Sequence, residues 1–117
     1  SFPTRRSSDL TLFSALKASQ FSEADINKLA YDLLTKAKQA TLAEMVFRYN
    51  VQSFPQSDNA YDSHGESLLA LNRIEQAKAA FSKAIALGTN ERSPEVLRGY
   101  QENLRKAEQM PASAQAK

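Results

Sequence analysis

The run "DNAYDSHGESLLALNRIEQAKAAFSKAIALGT", residues 58–89, decides the fold. It holds two stretches in which large or small apolar residues recur every three or four positions, separated by the polar break Asn72-Arg73. Tyr61, Gly65 and Leu68 mark the first stretch, and Ala77, Phe81 and Ala84 the second. Gly65 and Ala77 let two helices approach closely, while Tyr61, Leu68 and Phe81 fill the space between them. Ser57-Asp58 reads as the start of the first helix, Asn72 with Glu75 as the start of the second, and Gly88 as the residue that closes it.

Working outward, the same pattern returns at a fixed offset of 34. Ala43 maps to Ala77, Phe47 to Phe81, Val51 to Ile85 and Gly65 to Gly99. Upstream of the quoted run, Ser22 with Asp25 forms a capping pair, flanked by Phe21 and Ile26 at staple positions, so a helix is expected from Glu23. Ile26, Leu29, Ala30, Leu33, Leu34 and Ala37 give it an apolar stripe. Thr41 with Glu44 reads as a capping box for the next helix, which Phe54-Pro55 ends. Downstream, Ser93-Pro94 opens a last helix. A fixed period of helix-turn-helix units implies stacking, because one unit alone leaves an apolar face uncovered.

Residues 58–89 resemble one tetratricopeptide repeat (TPR), with Tyr61, Gly65, Leu68, Ala77, Phe81 and Ala84 at that family's spacing. Residues 23–55 resemble a more degenerate preceding repeat, with Ala30 in place of the glycine, then Leu33, Ala43, Phe47, Asn50 and Pro55. The departures are His64, where the family prefers Leu, and Thr89, where it prefers Pro. The resemblance implies an all-α fold of antiparallel helix-turn-helix repeats, a TPR-like α-solenoid, with a C-terminal capping helix. It also implies a groove lined by Asn27, Tyr31 and Leu34 from the first repeat and Asn59, Asp62, Glu66 and Leu69 from the second. Family members that grip a C-terminal carboxylate use Lys and Asn here, so Asp62 and Glu66 argue against that partner class.

A longer run, "INKLAYDLLTKAKQATLAEMVFRYNVQSFPQSDNAYDSHGESLLALNRIEQAKAAFSKAIAL", is similar to the helical tail that follows the catalytic domain in several bacterial serine hydrolases. These include α/β-hydrolase esterases and β-lactamase-like enzymes. That resemblance implies a non-catalytic module that packs against a protein partner, in the first instance a hydrolase domain of its own chain. It would place the protein in the periplasm or outside the cell. The alternative is a stand-alone adaptor binding a peptide or protein in the groove. The opening decapeptide SFPTRRSSDL belongs to neither pattern and resembles the in-frame translation of a short-read sequencing adapter. The expected organisation is therefore a non-native arm over residues 1–10, a helical repeat domain over 11–110 and a disordered tail over 111–117.

Composition narrows the chemistry. The 117 residues suffice for one small domain, and 42% hydrophobic with 3 Gly and 4 Pro fits helices joined by short loops. Setting aside Arg5, Arg6 and Asp9 leaves 13 basic and 12 acidic residues, interleaved along each helix, which gives no footprint for nucleic acid or anionic lipid. No stretch reaches the roughly 18 apolar residues of a membrane span. With no cysteine and the single His64, neither a metal nor a cofactor is expected. Ser14-Ala-Leu-Lys17 and Ser57-Asp58-Asn59 imitate two β-lactamase-like motifs, but the Lys-Thr-Gly partner is missing. No catalytic residue is assigned.

Overall fold

Three serines start helices by the same local chemistry, each side-chain oxygen accepting from a backbone N–H three residues on. In the computed structural model, which describes residues 7–111, Ser22 accepts from Asp25, Ser57 from Ala60 and Ser93 from Val96. Ser22 and Asp25 complete a reciprocal capping box. These caps open α2 (Glu23–Thr35), α4 (Asp58–Ala70) and α6 (Pro94–Glu108). Between them lie α3 (Ala40–Ser53) and α5 (Ile74–Gly88), and α1 (Ser7–Ser19) precedes all. Among the described residues the fold is all-α.

Helices neighbouring in sequence are neighbours in space. The most extensive pairings are α4 with α5 and α2 with α3, α3 and α5 join these pairs to the next helix, and α2, α4 and α6 touch in turn. The 34-residue offset survives in three dimensions. α3 and α5 begin at Ala40 and Ile74, and the left-handed residues Lys38 and Asn72 stand at the same point of the preceding turns. Ala43 and Ala77, like Phe47 and Phe81, are wholly buried.

Two apolar cores result. Leu16, Ile26, Ala30, Ala43, Val46 and Phe47 form the first, with Leu34 packed against it. Leu68, Ile74, Ala77, Ala80, Phe81 and Ala107 form the second, with Leu69, Leu104 and Met110 alongside. α6 closes the second core with Leu104 and Ala107 and turns Arg98, Glu102, Arg105 and Lys106 to solvent.

Several local expectations are corrected. Thr41 does not cap α3, which starts at Ala40 after Gln39 without a side-chain cap. Its expected partner Glu44 is instead drawn inward by Arg48, His64 and Arg73, described below. Asn72 is not the cap of α5 but the left-handed turn residue before Arg73, with φ 60°. Gly88 is helical rather than left-handed, since α5 runs through it. Its lack of a side chain serves packing, because a Cβ there would meet Arg92, Asp58 and Tyr100 at 3.3–3.4 Å. Phe21 closes no staple and stays 46% exposed. Separately from these corrections, α1 runs through residue 10, and Asp9 lies 3.7 Å from Arg48. Residues 1–6 and the expected tail from 112 onward lie outside the described residues.

Candidate functional site

Three of the seven residues expected to line the groove, Tyr31, Asp62 and Glu66, meet on a polar seam across α2, α4 and α6. Tyr31 is oriented by its ring, which packs edge-on against buried Phe47 at 4.9 Å. Its hydroxyl donates to Glu66 on α4 at 2.6 Å, and the Ser63 hydroxyl lies 3.2 Å from the same oxygen. From the other side, the Asn103 amide of α6 uses both its hydrogens, donating to Asp62 at 3.0 Å and to Glu66 at 3.2 Å. One amide thereby ties two carboxylates one helical turn apart.

At the N-terminal ends of the helices the seam continues. The Ser57 hydroxyl donates to the Glu23 carboxylate. Asp58 accepts a bidentate pair from Arg92 at 2.7 and 2.9 Å and a third bond from the Tyr100 hydroxyl at 2.5 Å. Such fork-shaped pairing fixes geometry as well as charge.

The electrostatics follow from these partners. Burial pushes the Asp62 carboxyl up to about 6, with Glu66 and Asp58 adding to the rise and Asn103 opposing it. Burial also acts on Asp58, but the Arg92 and Tyr100 bonds prevail and hold it below the usual carboxylate range. Burial and bonding to a carboxylate raise both phenols, Tyr31 through Glu66 and Tyr100 through Asp58.

The seam unites Tyr31, Asp62 and Glu66 and leaves the other expected groove residues outside it. Leu34 and Leu69 are half-buried against the two cores. Asn59 is exposed. Asn27 is half-buried, and its Oδ1 has no hydrogen-bond partner among the described residues. Sequence reasoning missed Asn103 and Tyr100, whose polar or amphipathic character matched a capping helix facing water, and Arg92, which lies in the turn before that helix.

A second polar cluster was also unforeseen. Glu44 is 4% exposed on α3, where it accepts from Arg48 at 3.0 and 3.1 Å and from His64 Nε2 at 2.9 Å, with Arg73 at 3.9 Å. Burial raises its carboxyl, yet the bonds from His64 and Arg48 outweigh that and bring it to about 2. His64, which stands where the repeat family prefers Leu, is half-buried and serves here as a hydrogen-bonding partner. The signal available in sequence was Glu44 four residues before Arg48 on one helix face.

The catalytic-looking strings stay apart. Ser14 and Lys17 are exposed on α1, and Ser57 serves as the α4 cap. Among the described residues, no group of three or more His, Asp or Glu side chains could hold a metal ion, and no helix is long and apolar enough to cross a membrane. In comparisons with known proteins, no family model, curated protein or solved structure matches this chain.

Proposed function

We propose that the chain is a non-catalytic TPR-like helical repeat module whose role is protein packing, in the manner of the helical tails it resembles in bacterial serine hydrolases. The observation that carries this reading is that equivalent bonds recur one repeat apart. Glu23 meets Ser57, and Asp58 meets Arg92, each across 34 residues at successive helix starts. Tyr31 and Asn103 then join the first, third and fifth helices after α1 into one surface. Among the described residues, the serine and histidine that could serve acyl transfer are taken up elsewhere, Ser57 capping α4 and His64 bonded to Glu44.

The reading is tested in trans. The full chain is titrated calorimetrically into the catalytic domain of an esterase or β-lactamase-like enzyme whose own helical tail has been removed. Saturable association, together with buffer-level turnover of a chromogenic ester and a chromogenic cephalosporin by the chain alone, supports the module. Turnover by the chain that Ser14→Ala abolishes would make it an enzyme instead.

A further inference from the structure

No Cα of α3 lies within 8 Å of one on α5, and the gap between them is floored by α4. It forms an open cleft of about 460 Å³ lined by Val51, Tyr61, Leu68, Ala79, Ala80 and Lys83, with His64 at the floor. On α4 the stripe Tyr61, His64, Leu68 lies opposite the stripe Asn59, Asp62, Glu66 by helical period, so this cleft is separate from the polar seam.

Three features define what the cleft can hold. Its lining is mainly apolar, and the middle of the wall on α5 is Ala79 and Ala80, between Gln76 and Lys83, so another backbone can come close there. The bordering backbone is helical throughout, with no open strand edge to which an extended peptide could add. Its charge is one-sided. The Lys83 ammonium lies 5.9 Å from the Tyr61 ring centroid and has no carboxylate partner among the described residues. Glu44, which is bonded to His64, is already matched by Arg48.

We infer that this cleft docks an acidic amphipathic helix of a partner protein, its apolar side chains on Val51, Tyr61 and Ala79 and a Glu or Asp against Lys83. The wall from Gln76 to Lys83 spans about 10 Å, room for two turns with apolar residues at i and i+3 or i+4. The site does not depend on the hydrolase-tail reading, whose own test is the association in trans.

The probe is a fluorescein-labelled Leu/Glu amphipathic peptide of about 14 residues, long enough to populate a helix, with a Leu/Lys peptide of equal length as its charge control. Anisotropy is followed on titration with the full chain. The Leu/Glu peptide is expected to bind saturably and the Leu/Lys peptide not to bind. Lys83→Glu should weaken the Leu/Glu complex by about tenfold, and Ala79→Arg, which fills the cleft, should abolish it. Both substituted positions are exposed, and circular dichroism checks that the fold is kept. Absence of saturable binding, equal binding of the two peptides, or unchanged affinity in folded Ala79→Arg would each overturn the inference.

Discussion

The ring of Phe81 lies so close to the backbone of Gly65 that a Cβ on the glycine would stand 2.5 Å from Cε1, 2.7 Å from Cδ1 and 3.0 Å from Cζ. Phe81 is wholly buried and has nowhere to swing. Gly99, its counterpart 34 residues on, has nothing within 4 Å of the same hypothetical atom. The offset therefore preserves the residue but not its task.

Identical substitutions at these two glycines should act with opposite sign. Ala gains up to about 1 kcal/mol over Gly in a helix, whereas overpacking a filled core costs about 1–3 kcal/mol. Gly65→Ala is expected to be destabilising on balance, and Gly99→Ala stabilising by up to about 1 kcal/mol. Urea denaturation of both variants decides it. Equal shifts would mean that the α4–α5 crossing is looser than described.

Glu44 should act as a buried junction rather than a surface acid. Glu44→Gln keeps the shape but removes the charge that Arg48 and His64 share, at an expected cost of about 1–3 kcal/mol. The native carboxyl titrates at about 2 against an ordinary 4.5. Its contribution is complete above pH 4.5 and is lost as pH falls from there towards 2. The stability difference between wild type and Glu44→Gln should shrink over that window. A difference independent of pH would count against the junction.

Asp62 should behave in the opposite sense. Its carboxyl releases its proton near pH 6 in the fold but at an ordinary 3.8 when unfolded, so the native state holds more protons between those values. Stability from this residue is greatest below pH 3.8, declines as pH rises towards 6 and levels off above it. Asp62→Asn should abolish that decline and be the more stable protein at pH 8. Parallel stability curves for the two proteins from pH 4 to 8 would refute the assignment.

Some of this could be read in the chain and some could not. Ser22, Ser57 and Ser93 were legible as helix starts because a cap is local, needing only the next three residues. Ala43, Phe47, Ala77, Phe81 and Gly65 were legible because core positions recur with the helical period and again after 34 residues. The Tyr31–Glu66–Asn103 link was not, since its members lie 35 and 37 residues apart and each alone resembles a solvated residue. Glu44 misled because Thr-x-x-Glu fits a capping box, a local reading that its tertiary partners override. Gly88 misled for a related reason, its smallness being demanded by Asp58, Arg92 and Tyr100 instead of by a turn.

Asp58 is where α6 is fastened to α4, and three substitutions should separate its bonds. Arg92 is about half exposed, so Arg92→Ala is expected to cost no more than about 1 kcal/mol. Tyr100→Phe removes one bond to a charged acceptor inside the fold and should cost about 1.5–3 kcal/mol. Asp58→Ala strands the buried Tyr100 hydroxyl and frees Arg92 together, so its effect should exceed either single loss. In the Tyr100→Phe, Asp58→Ala double variant the two effects should fall short of their sum, because they delete the same bond. Hydrogen exchange locates the damage. α6 meets α5 through an apolar face but reaches α4 chiefly through Tyr100 and Asn103, so protection in Asp58→Ala should fall first along α6 while α4 and α5 keep theirs. Uniform loss across all helices would show that Asp58 supports the whole fold rather than the seating of its last helix.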